Sequence, residues 1–182
     1  MGITKAHLQS LDLGVLAELV GRLAAAAQVA EEQAAAQSKA PDELSRHFRG
    51  GASEAAADSL RRKAGLLRSN SAALSELSDV VSEVYQGLSD SRAAVGALVL
   101  EAEAQGFHVD ENWRVTDVSG NQGLAREAAW RSLGEQLRAA LAGHDVADQG
   151  AARRIREAVE SFAAPELDAP RPGPAKGGPA EA

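Results

Sequence analysis

Four histidines, His7, His47, His108 and His144, and two close carboxylate pairs, Asp110 with Glu111 and Asp145 with Asp148, are the side chains best suited to move a proton or hold a metal. A zinc site needs three or four ligands converging on one point, which on a helix shows as histidines four residues apart, and elsewhere as paired cysteines. Here the histidines stand singly in different segments and there is no cysteine. No metal site is expected. The carboxylates fall where turns and helix starts are expected, and acidic side chains there accept backbone N–H bonds. The sequence contains no nucleophile elbow, phosphate loop or dinucleotide fingerprint, so neither enzyme chemistry nor a cofactor is expected. Arg153, Arg154 and Arg156 form a small basic cluster that reads as a solvated helix face. A formal net charge of −7 and a pI near 5.1 argue against nucleic acid as the ligand, because phosphate binding needs a concentrated basic surface.

The elements that would position these groups are dominated by one long helix. Leu60, Leu67, Leu74, Val81, Leu88 and Val95 recur every seventh residue, Ala102 continues the row, and Leu77, Val84 and Leu98 occupy companion positions three residues on. Such a repeat keeps an apolar stripe on one side of a slightly supercoiled helix. Lys63, Asn70 and Ser91 interrupt the second row, and no proline falls between Ser53 and Gln105. A rod cannot bury its own stripe, so Leu60, Leu67, Leu74, Leu77, Val81, Val84, Leu88, Val95 and Leu98 are the expected partner interface. Aromatics are 3% of the chain, so the core should be thin and built by helix packing.

A first helix is expected between Ser10 and about Gln37, carrying Leu13, Leu16, Leu19, Val20 and Leu23 before tapering into alanine. Asp12 or Ser10 would cap it. Pro41 should loosen or end it, with a short polar turn of helix over Asp42 to Arg46. Phe48-Arg49-Gly50-Gly51 reads as a chain reversal, after which Ser53 and Glu54 would cap and charge the long helix. Two readings of the turn stand: a plug whose aromatic closes the hairpin end, or a recognition element. Beyond Gln105 the alternation around Asp110-Glu111-Asn112 predicts a β-hairpin with Phe107, Val109, Trp113, Val115 and Val118 buried. Two shorter helices, at about 122–142 and 146–162, would follow, separated by Gly143-His144-Asp145. The expected fold is all-α: a long antiparallel helical hairpin with a small β-hairpin and two accessory C-terminal helices. Its parts are residues 1–120, 121–163, and a Pro/Gly/Ala-rich tail or linker at 164–182, whose composition does not support a packed core.

The succession of helix, aromatic-x-Gly turn and longer helix in an Ala-rich acidic chain resembles the WXG-type substrates of type VII (ESX) secretion. Phe48-Arg49-Gly50 stands where that family has Trp-Xaa-Gly, and Gly51-Ala52-Ser53-Glu54-Ala55-Ala56 is similar to its small-residue continuation. The run from Glu101 to Phe107 into the hairpin resembles the N-terminal secretion domains of actinobacterial effectors. The resemblance implies a non-enzymatic secretion substrate, exported by the type VII machinery or with a chaperone, and partnered by a WXG-like protein or by a second copy of itself. Two residues depart from the pattern. Phe48 keeps an aromatic but lacks the indole N–H, and Tyr85 is followed four residues later by Ser89 where the family has Asp or Glu, so a partner would supply the export signal. The alternative, drawn from the heptads alone, is a cytoplasmic coiled-coil scaffold. Met1 to Ser10 has no basic patch followed by an apolar run, and no stretch reads as the ~20 apolar residues of a membrane span, so stable membrane insertion is not expected.

Overall fold

Alanine-rich sequence favours long helices, and the computed structural model, which describes residues 3–120 and 123–163, is mostly helical. A six-residue α1 (Lys5–Ser10) leads into α2 (Gly14–His47) and then α3 (Gly51–Ala104). A two-stranded antiparallel ribbon, β1 (Phe107–Val109) and β2 (Val115–Asp117), follows with Phe107 opposite Asp117 and Val109 opposite Val115. The last element is a single helix, α4 (Leu124–Ala163). The expected tail at 164–182 and the start of the first accessory helix lie outside the described residues.

Helices α2 and α3 run antiparallel, because Ser71 Oγ donates to the Ala27 carbonyl at 2.8 Å while Ser78 Oγ donates to the Val20 carbonyl at 3.3 Å. Their seam is made of small residues. Ala27, Ala34 and Pro41 on α2, and Ala57, Ala64, Ser71 and Ser78 on α3, are buried at seven-residue spacing. With no long side chain between them, the backbones approach closely enough for a hydroxyl to reach the opposite helix's carbonyl.

The two hydrophobic clusters lie further along α3. Val84 and Leu88 pack with Ala151 of α4, flanked by Leu13 and Leu16 of α2. Val95, Val99 and Ala102 pack with Leu8 of α1, Phe107, Val109 and Val115 of the ribbon, and Leu133 and Leu137 of α4. Helix α4 is antiparallel to α3: Ser91 Oγ meets His144 Nδ1 at 2.9 Å, and Arg154 pairs with Glu83. The C-terminal half of α3 is thus covered from two sides, whereas neither cluster reaches the arm formed by its first half and the part of α2 beyond Leu16.

Several expectations are corrected. Helix α2 does not stop near Gln37 but continues through Pro41 to His47. An interior proline forfeits a backbone hydrogen bond and strains the preceding turn, at a cost of about 3 kcal/mol. Pro41 is nevertheless tolerated because its ring is wholly buried in the small-residue seam. The two accessory helices are one, since Gly143 lies inside α4 and the adjacent His144, 3% exposed, is anchored on Ser91. Leu13, not Asp12 or Ser10, is the N-cap residue of α2 and makes no side-chain cap, while Asp12 just before it accepts the Gly14 N–H at 2.8 Å. Ser53 lies inside α3 and turns its hydroxyl to the Phe48 carbonyl at 3.3 Å, while Glu54 sits in the first turn as expected. Val118, expected in the core, is 67% exposed.

Candidate interaction surface

The expected partner stripe turns inward. Val81, Val84, Leu88 and Val95 are buried inside the chain, and Leu60, Leu67, Leu74, Leu77 and Leu98 are half-buried. The expectation of an uncovered stripe fails for two reasons: α2 is longer than its pattern suggests, and α4 lies along α3. On the arm, Leu66 of α3, Val15, Leu19 and Val29 of α2, and Phe48 at the turn face outward, and elsewhere Leu100, Leu124, Val146 and Val159 are among the exposed apolar side chains.

At the hairpin end, Gly50 takes φ 124° and ψ 169°, a conformation closed to side chains bearing a Cβ. That single residue reverses the chain between α2 and α3. Phe48 closes the C-terminus of α2 with its N–H on the Leu44 carbonyl, and its side chain is 65% exposed. It is not a plug. Arg49 and Gly51 are exposed beside it, so the turn presents an aromatic and a cation to solvent at the end of the arm.

Helix α2 is also more apolar than its sequence reading allowed. The stretch Lys5–Leu44 contains a window of mean hydropathy 1.5, enough by length and composition to cross a membrane, and only 6% of that window is buried. Between Leu13 and Ala30 the only charges are Glu18 and Arg22, which pair with each other.

At the other end of the molecule the acidic residues have structural work. Asp110 Oδ1 accepts the Asn112 and Arg114 N–H groups at 2.8 and 2.9 Å, and the bond from the Arg114 N–H is the main reason its carboxyl is held below the ordinary value. Glu111 Oε2 accepts the Ala6 N–H at the start of α1 at 3.0 Å, a helix N-terminus where negative charge is favoured. Arg92 closes the other end of α1 by donating to the Gln9 and Leu11 carbonyls.

Arg126, which the sequence did not single out, ties three elements together. Its guanidinium clasps both Asp117 oxygens at 2.6 and 2.7 Å, donates to the Gln105 and Gly106 carbonyls, and lies 4.2 Å from the centre of the Phe107 ring. The clasp drives the Asp117 carboxyl far below the usual carboxylate range and raises the guanidinium further. No local sequence pattern could reveal this, because the partners come from three separate elements.

Of the four histidines, His7 and His144 share a cavity of about 570 Å³ between α1 and α4 with Asp145 and Asp148. Among the described residues no three His, Asp or Glu side chains converge as metal ligands. Arg153 faces Glu157 at 3.9 Å and Arg154 pairs across to Glu83, so two of the three clustered arginines are in ion pairs. No protein-family model, curated protein or solved structure matches this chain.

Proposed function

We propose that the chain is a non-enzymatic interaction module of type VII secretion, a substrate or the leading domain of an effector, which works as a WXG-like antiparallel hairpin. The observation that carries this reading is the exposed Phe48-Arg49-Gly50-Gly51 turn at the end of a helical arm with a thin core. Burial of apolar surface stabilises by roughly 25 cal/mol per Å², and alanine contributes little of it. An arm joined through Ala27, Ala34, Ala57 and Ala64 therefore gains from a second surface. A WXG-like hairpin or a second copy of this chain would supply it by covering Val15, Leu19, Val29 and Leu66. The proposed interface is this outer face, since most of the heptad stripe is packed internally.

The test is immunoblotting of culture filtrate and cell fractions from strains with and without the type VII ATPase, with a cytosolic lysis marker. Export that requires the ATPase and falls in a Phe48→Ala variant whose melting temperature shifts by no more than a few degrees is the expected result. Equal amounts outside the cell in both strains would defeat the assignment. Strict retention in both, with light scattering showing a dimer, would put the cytoplasmic scaffold in its place.

A further inference from the structure

A groove of about 620 Å³ lies between the ribbon turn and the first half of α4, remote from the Phe48 turn. The chain has two tryptophans, and both line it. Each indole N–H is already committed, Trp113 Nε1 to the Ile3 carbonyl and Trp130 Nε1 to the Val115 carbonyl, both at 2.6 Å. Rings tethered this way keep their orientation, and what they leave for a ligand is an aromatic surface. Trp130 is 41% exposed. Trp113 is the one non-glycine residue with positive φ among those described, at 64°, a conformation uncommon for a bulky side chain. The Asp110 turn holds it there, with the Trp113 N–H on the Asp110 carbonyl at 3.0 Å.

The charge of the groove opposes that of the molecule. The chain carries −7, yet the groove is lined by Arg114, Arg131 and Arg138 against Glu135 alone. Asp110 and Glu111 are engaged on backbone amides, and Arg131 already pairs with Glu127 through one guanidinium nitrogen in an exposed i,i+4 contact, which leaves its other N–H groups for a ligand. Arg138 uses only Nε, on the Gly134 carbonyl, and Arg114 lies near Asp110, whose carboxyl its charge helps to hold low. Arg131 and Arg138 are seven residues apart on one helix, roughly 10 Å along its axis. Two carboxylates three residues apart in a segment of polyproline II backbone, which repeats every three residues at about 3.1 Å each, lie on one face roughly 9 Å apart.

We infer that this groove docks an acidic peptide segment of a partner protein. Carboxylates of the segment pair with Arg131 and Arg138, and an apolar side chain between them lies against the tryptophans. Charge complementarity selects this occupant. Guanidinium groups form two-pronged bonds to carboxylates. Single-stranded nucleic acid also suits arginine and indole, but its continuous phosphate charge would have to run past Glu135 and a strongly acidic chain.

The test follows from the two tryptophans, since tryptophan fluorescence, excited selectively over that of Tyr85, reports on this groove. The probe is a short, tryptophan-free peptide bearing Asp-Leu-Leu-Asp, compared with a peptide of the same composition whose aspartates are adjacent, and with oligothymidylate. A saturable fluorescence change with the spaced peptide is expected, weakened about tenfold or more in the Arg131→Gln, Arg138→Gln double variant and strengthened by Glu135→Gln. The strengthening guards against misfolding, which would only weaken binding. No fluorescence change, equal affinity for both peptides, unaltered binding by the double variant, or tighter binding of oligothymidylate would each overturn the inference.

Discussion

Two phenylalanines in opposite surroundings provide a direct test of how the molecule is packed. Phe107 is 2% exposed and sits in the larger hydrophobic cluster beneath the Arg126 guanidinium, whereas Phe48 is 65% exposed at the hairpin turn. Truncating a buried phenylalanine to alanine removes its transfer free energy and leaves a cavity, a loss of about 3 to 5 kcal/mol. For a chain of this length each kcal/mol moves the melting temperature by roughly 2 to 4 °C, so Phe107→Ala should lower it by about 6 °C or more. Phe48→Ala removes a side chain only about one third withdrawn from water and leaves no enclosed void. Full burial would contribute roughly 2 to 3 kcal/mol, so the loss should be at most about 1 kcal/mol and the shift only a few degrees. Circular dichroism at 222 nm on heating, repeated at two protein concentrations, measures both. A Phe48→Ala shift as large as that of Phe107→Ala would refute the reasoning, and if it grew with protein concentration it would locate Phe48 in an interface between copies.

Gly50→Ala should destabilise by about 1 to 3 kcal/mol, because alanine is strained at that φ, while Gly51→Ala one residue later, inside the helix and with open space around it, should be neutral or stabilise by up to about 1 kcal/mol; urea midpoints separate the pair. Ser71→Leu should cost about 1 to 3 kcal/mol by forcing a branched side chain into the α2–α3 seam, and Ser71→Ala about 1 kcal/mol for the lost bond to the Ala27 carbonyl, both read by chemical denaturation. The Asp117 carboxyl is depressed in the folded state, so its contribution is complete above the unfolded value of about 3.9 and is lost as pH falls below it toward the folded value. Asp110 has the same sign, through backbone N–H bonds. Urea midpoints at neutral pH and near pH 3 should therefore differ less in Asp117→Asn than in the natural chain.

The helical hairpin, the position of its turn and the ribbon are legible along the chain, since apolar spacing, glycine pairs and period-two alternation are local signals. The ends and breaks of helices are legible only in part. Pro41 and Gly143 are correct local signs of interruption, and tertiary contacts override both: the buried seam keeps α2 going, and the seat of His144 against Ser91 keeps α4 going. The Arg126–Asp117 clasp and the groove between Trp113 and Trp130 left no signature that a linear reading could register, because each joins the ribbon to α4. The row Ala57, Ala64, Ser71, Ser78 did leave one, a seven-residue repeat overlooked because small residues contribute little to a hydrophobic pattern.

The sequence by itself determines that α3 is a single rod with a heptad face, that the chain reverses within Phe48-Arg49-Gly50-Gly51, and that the chain carries a net charge of −7. These follow from backbone propensity, conformational freedom and composition, which need no neighbour. Which row of the heptad face is the seam, and whether the leucine stripe looks outward, was decided only when α2 and α4 were set against α3. Two helices approach most closely where their side chains are smallest. The alanines and serines therefore took the centre of the arm and the leucines its flanks, and what stays exposed is the outer face of the arm and its aromatic turn.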